Sequence, residues 1–227
     1  MNADPHAGGR VLTGGASLSR ARLAMIALHG RGGGPPDMLS LVEHLGLPDI
    51  AVLAPAAAGN SWWPDSFLAP LAANEPGLSS ALGAVGAVAR QLADEGFGPE
   101  RTVVLGFSQG ACLALEHAAR LGQPFACVAG LSGGLVGTGD DDCPPDPALH
   151  GHRDKMFDYP GGLNGTPVFL GCHERDPHIP LARLRKTEDV FTRLGADVTT
   201  QVYPGSGHGV VEEEIKALRT ILNQAPR

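Results

Sequence analysis

Ser108 stands in G-F-S-Q-G (Gly106–Gly110), directly after the apolar run Val103–Leu105. A serine hydroxyl is a poor nucleophile until a neighbouring base takes its proton. It must also project from its sheet, which a sharp strand-to-helix turn achieves, and the crowding there demands small residues two positions to either side. The pentapeptide meets both conditions. Its chemistry would be attack on a carbonyl with formation of an acyl-serine. An acid and then a histidine must follow, each after a later strand. Asp176, in G-C-H-E-R-D-P-H-I-P, comes just after the apolar run Val168–Leu170; His208, in Y-P-G-S-G-H-G, precedes the final helical pattern. Glu174 is the alternative acid. The plain alternative, an idle serine in a glycine-flanked turn, would require coincidences at three separate strand ends.

The expected roles follow. Ser108 attacks, His208 takes and later returns the proton, and Asp176 fixes the imidazole tautomer. The tetrahedral oxyanion needs preorganised N–H donors. The backbone N–H of Gln109, at the helix start, is one, and the loop L-H-G-R-G-G-G (Leu28–Gly34) should supply the other. That loop lacks both the G-x-G-x-x-G spacing and the following Lys-Ser/Thr of a phosphate-binding loop. His29 reads as a structural, hydrogen-bonding histidine. Trp62, Trp63, Phe67 and Leu68 lie among Asn60, Ser61, Pro64 and Asp65, so they read as a loop lining the substrate pocket, one tryptophan closing its far end.

Other polar clusters carry less. His150, His152, His173 and His178 read as surface histidines, and Asp140–Asp142 as a solvated acidic loop without calcium-loop spacing. Cys112, Cys127, Cys143 and Cys172 form no C-x-x-C pair. A disulfide framework or zinc site is therefore not expected, and Cys112, Cys127 and Cys172 read as reduced core thiols. No metal or organic cofactor is implied.

The elements that must position these residues alternate along the chain. Strands are expected at Leu23–Leu28, Ile50–Ala54, Thr102–Gly106, Ala126–Leu131, Pro167–Leu170 and Val198–Tyr203, mostly as continuous apolar runs. Such runs suit strands covered on both faces. Helical spacing recurs from Leu78 to Leu92, from Leu184 to Leu194 and from Val211 to Leu222, and Gly110–Leu121 reads as a buried helix. Strand–helix alternation predicts an α/β fold with a mainly parallel central sheet and helices on both faces. Residues 1–227 read as one domain whose N-terminal segment, 1–20, is expected to be partly mobile. The irregular stretch Gly133–Thr166 is expected to be functional or mobile.

Seventeen Lys and Arg against 24 Asp and Glu leave a net charge of −7, which argues against a nucleic-acid or anionic-membrane partner. No basic, apolar leader and no membrane-spanning run is evident, so a cytoplasmic protein is expected. A homodimer is compatible with the sequence.

With L-H-G-R-G-G, G-F-S-Q-G, D-P-H-I-P and G-H-G in this order, the chain resembles the phospholipase/carboxylesterase family of α/β-hydrolases from about Leu23 onward. The resemblance implies the same three residues, Ser108, Asp176 and His208. It also implies that the second oxyanion donor is the N–H of the residue after the H-G pair, here Arg31, and that A-P-A-A-A-G-N-S-W-W-P forms part of the acyl-binding wall. Arg31 stands where the thioesterases of the family typically carry leucine, and the Trp62–Trp63 loop is bulky. The closer likeness is to bacterial esterases with small substrates. The expected function is a serine carboxylic-ester hydrolase for short-to-medium acyl esters. The alternatives are an acyl thioesterase or lysophospholipase with the same residues, and a hydrolase-fold binding protein that has lost catalysis.

Overall fold

The computed structural model describes residues 4–140 and 142–225. Asp141 of the acidic loop and residues 1–3 of the N-terminal segment fall outside that range. Nine strands are described: β1 (Val11–Gly15), β2 (Leu23–Leu28), β3 (Ile50–Pro55), β4 (Thr102–Phe107), β5 (Cys127–Leu131), β6 (Gly139–Asp140), β7 (Lys155–Met156), β8 (Pro167–His173) and β9 (Asp197–Tyr203). The α-helices are α1 (Pro35–Leu45), α2 (Gly77–Asp94), α3 (Gln109–Leu121), α4 (Leu181–Arg193) and α5 (Glu212–Gln224).

Seven strands form one sheet in the order β1-β3-β2-β4-β5-β8-β9, parallel except for β1, which pairs antiparallel with β3. Alternation along each strand divides the core. Ala24, Ile26 and Leu28 of β2 face one hydrophobic cluster, together with α2, α3 and α4; Leu23, Met25 and Ala27 face the other, with α1 and α5. Both faces are covered, which is why the inner strands β2 to β5 and β8 read as unbroken apolar runs.

After β2 the chain crosses one way, through α1 to β3; after β4 it crosses the other way, through α3 to β5. The strand order therefore reverses between β2 and β4, and a crevice opens at their carboxyl ends. The register sets Leu28 beside Gly106, so the Leu28–Gly34 loop and the Ser108 turn leave the sheet side by side.

Two irregular stretches make long-range contacts. The first is the described part of the N-terminal segment. His6 is buried, its Nε2–H donates to the Trp62 carbonyl (2.8 Å), and its Nδ1 accepts from the Ala58 N–H (3.0 Å). Val11–Gly15 then forms an edge strand. These are long-range contacts with no local signal. The Gly133–Thr166 stretch is likewise anchored. The buried Glu116 carboxylate accepts from the Val136 and Gly137 N–H groups (3.1 Å each) and from the Tyr159 hydroxyl (2.7 Å). Lys155, also buried, donates to the Ala69 carbonyl.

Candidate active site

Strand β4 delivers Ser108 into a turn so tight that its backbone takes φ 55°, ψ −119°. That conformation is costly for a residue with a side chain, by about 1–3 kcal/mol, and persists only where the surroundings enforce it. Here the enforcement is visible. The Ser108 N–H donates to the Leu131 carbonyl of β5 (2.9 Å), while α3 starts at the next residue. A Cβ at Gly106 would lie 2.1 Å from the Gly110 carbonyl oxygen, and one at Gly110 would lie 2.1 Å from the Leu28 oxygen. No side chain fits at either position, so both glycines are required by close approach.

His208 arrives on the loop between β9 and α5. Its Nε2 lies 2.8 Å from Ser108 Oγ and its Nδ1 2.8 Å from Asp176 Oδ2. With Nδ1–H donating to the carboxylate, Nε2 is left to accept the serine proton. Asp176 is 5% exposed and heavily supported. Its other oxygen, Oδ1, accepts from the His178 N–H (2.8 Å) and the Ile179 N–H (3.1 Å). Burial alone would raise its pKa. The hydrogen bonds from His208 and from these N–H groups outweigh it and hold the carboxyl below its ordinary range. The Cys172 thiol lies 3.7 Å from Oδ2 as a weak further donor. Glu174, the alternative acid, is exposed and paired with Arg175 at 3.0 Å.

Gln109 N–H is the first of α3 and has no intrahelical acceptor. The Gln109 side chain is pinned from both ends of its amide: Oε1 accepts from the Trp62 N–H, and Nε2 donates to the Trp63 carbonyl (2.9 Å each). Facing it, residues 30–33 form a turn closed by the Gly33 N–H on the Gly30 carbonyl (3.1 Å), with Arg31 at its first corner. His29 is buried; Nδ1–H donates to the Gly30 carbonyl (2.8 Å) and Nε2 accepts from the Ala57 N–H (3.0 Å). Burial lowers its pKa, consistent with a neutral ring bracing the loop.

A cleft of about 480 Å³ opens above Ser108, lined by Arg31, Gln109, His208, Trp63 and Phe67 among others. Of the four apolar loop residues expected at the pocket, Trp63 and Phe67 are in this lining and Trp62 and Leu68 are not. Trp62 is fully buried, its indole N–H donating to the His29 carbonyl (2.8 Å) and its ring packed between His6 and His29. Leu68 belongs to the core. Ile179 also lines the cleft, as do Cys112 and His178, whose sequence context marks them only as a core thiol and a surface histidine. His178 meets the His208 ring edge-on, 4.7 Å between centroids. One signal was available: Cys112 lies one helical turn beyond Ser108, and its N–H bonds the Ser108 carbonyl at 3.0 Å. Among the described residues no cluster of three His, Cys, Asp or Glu side chains could hold a metal ion, and no helix is long and apolar enough to cross a membrane.

A mostly parallel sheet that presents a serine on a strained strand-to-helix turn, beside a histidine and a buried carboxylate at the next strand ends, has the α/β-hydrolase fold. The chain belongs to the phospholipase/carboxylesterase family, whose sequence profile matches residues 20–225. Among solved structures, a phospholipase/carboxylesterase from Dyadobacter fermentans is 34% identical with a TM-score of 0.84, over 96% of this chain and 97% of that one. Esterase PE8 is 26% identical with a TM-score of 0.72, over 96% and 98%. Among characterised proteins, acyl-protein thioesterase 1 of Gibberella zeae is 31% identical over 60% of this chain and 52% of its own. The chain spans about half the length of that relative.

Proposed function

We propose that the protein is a serine carboxylic-ester hydrolase acting through an acyl-serine intermediate. The hydrogen-bonded chain from Ser108 Oγ through His208 to Asp176, with both contacts at 2.8 Å, carries this reading. Ser108 Oγ attacks the ester carbonyl carbon as His208 Nε2 takes the hydroxyl proton. Asp176 holds the Nδ1–H tautomer and stabilises the imidazolium. The N–H groups of Gln109 and Arg31 receive the oxyanion. Collapse of the tetrahedral intermediate breaks the bond to the alcohol, which leaves with the proton from His208. A water then repeats the sequence on the acyl-serine and releases the acid.

Trp63 and Phe67 bound the acyl side, which favours short-to-medium chains. A second reading, acyl thioesterase, is favoured by the Gibberella zeae relative and uses the same residues, since only the leaving atom differs. Labelling with a fluorophosphonate and turnover of p-nitrophenyl esters beside an acyl-CoA test both. Ser108→Ala should lose labelling and turnover with its thermal unfolding unchanged; persistent labelling would mean that the nucleophile lies elsewhere.

A further inference from the structure

The guanidinium of Arg31 stands at the rim of the cleft and is held there. Nη1 donates to the Pro64 carbonyl and Nη2 to the Asp65 carbonyl, each at 2.6 Å. Both acceptors are neutral peptide oxygens, so neither cancels the charge. Among the described residues Arg31 has no carboxylate within ion-pairing distance; Arg101 and Arg219 also bond only backbone carbonyls, but of the three only Arg31 lines the cleft. Its Nε–H and outer N–H bonds have no protein acceptor there either, and an arginine fork presents such donors in a fixed plane.

Two features separate this side chain from an ordinary surface arginine. It is already immobilised by two short bonds, so little rotamer entropy remains to be lost when a ligand binds. It also belongs to the residue whose N–H is assigned to the oxyanion, which puts the charge within one side-chain length of the reacting carbonyl. The other formal charge lining the cleft is Asp65, which is exposed; its peptide oxygen serves Arg31, but its carboxylate is not paired with it.

We propose that Arg31 selects the substrate: the enzyme takes esters that carry a carboxylate or comparable anion a few bonds from the scissile carbonyl, bound on the uncommitted edge of the guanidinium. This rests on the esterase reading above. The net charge of −7 would otherwise repel such a substrate, so the fixed local cation decides the sign of the preference. The anion can belong to the acyl group or to the leaving group, and the recognition chemistry is the same.

The test uses two matched pairs on the full chain at low ionic strength. Mono-p-nitrophenyl adipate against p-nitrophenyl hexanoate puts the charge on the acyl side; m-carboxyphenyl acetate against phenyl acetate puts it on the leaving group. The readout is the anionic-to-neutral ratio of kcat/KM. In at least one pair the ratio should exceed one. Arg31→Gln should lower it about fivefold or more, mainly through KM, as expected for loss of a charged partner at a partly exposed site. Asp65→Asn should raise it. Added salt should lower the ratio in the wild type and hardly move it in Arg31→Gln.

If Arg31 only straps the loop, Arg31→Gln would slow both members of a pair together and leave the ratio within about twofold, short of the roughly fivefold loss expected when a charged hydrogen-bond partner is removed. That result overturns the proposal. So does an unchanged ratio in Asp65→Asn, which serves as the sign test should Arg31→Gln fail to fold. Absence of Ser108-dependent turnover of every ester would instead overturn the esterase reading, and this inference with it.

Discussion

Trp62 and Trp63 are adjacent in the chain, yet truncating them should have separable consequences. Trp62 is 0% exposed, packs against His6 and His29, and donates its indole N–H to the His29 carbonyl at 2.8 Å. Replacing a buried tryptophan by alanine costs about 3–5 kcal/mol through lost transfer energy and the cavity left behind. In a chain of this size each kcal/mol lowers the unfolding midpoint by about 2–4 °C, so Trp62→Ala should lose about 6–20 °C. Its peptide N–H, which holds Gln109 Oε1 at 2.9 Å, survives the substitution. The folded fraction should therefore keep its chain-length preference. Trp63 lines the cleft, so Trp63→Ala should move the optimum toward longer acyl chains. Each further methylene buried is worth about 0.8 kcal/mol, or about fourfold in kcat/KM. Thermal unfolding by circular dichroism, beside kcat/KM over p-nitrophenyl esters of increasing length, reads both effects. A Trp62→Ala variant that shifts the profile while losing less than about 2 °C would contradict a structural role for Trp62. The reasoning is refuted if Trp63→Ala only loses stability.

Asp176→Asn should lower kcat by about a thousandfold or more, because the amide favours the wrong imidazole tautomer. A crippled Glu174→Gln beside a near-normal Asp176→Asn would sink the assignment. The Asp176 carboxyl is held below its ordinary value of 3.8. The stability from its ionised form is therefore complete above that value and lost as pH falls through the folded pKa; Asp176→Asn should flatten that acid limb in urea titrations. Glu214 has the opposite sign. Burial pushes its pKa up to about 7, with Oε2 on the Val211 N–H (2.9 Å) and Oε1 buried without a partner. Between 4.5 and about 7 the folded chain holds a proton that the unfolded chain has lost, so stability should fall with rising pH by about 3 kcal/mol and then level off. Glu214→Gln should remove that slope, and an unaltered slope would count against the assignment. Cys112, Cys127 and Cys172 are buried with thiols pushed up to about 12, so iodoacetamide at pH 8 should leave turnover intact. Rapid inactivation would contradict this.

Much of the architecture was legible along the chain because local sterics and burial write it there. Strands β2 to β5 and β8 are apolar runs since helices cover both faces of the sheet, and helical spacing marks the faces that cover them. The glycines around Ser108 are equally local: Gly106 and Gly110 meet backbone at 2.1 Å, so the sequence had no other residue to use. Strand β1 escaped because a five-residue edge strand ending in two glycines carries almost no pattern.

Chain order and residue type alone put forward Ser108, His208 and Asp176, with Glu174 as the alternative acid, since a serine on such a turn needs a base and an acid at later strand ends. What only the tertiary structure decided is where side chains of the same kind point. Asp176 and Glu174 are two residues apart, yet one is buried under three hydrogen bonds beside His208 and the other is exposed. Trp62 and Trp63 are identical neighbours; His6, from 56 residues away, holds the Trp62 carbonyl and packs on its ring, while Trp63 is left facing the cleft. The N-terminal arm, the Arg31 strap and the Glu116 anchor are decided in the same way. Each depends on contacts between segments far apart in the chain, and periodicity, which records only a residue's own neighbours, carries no trace of them.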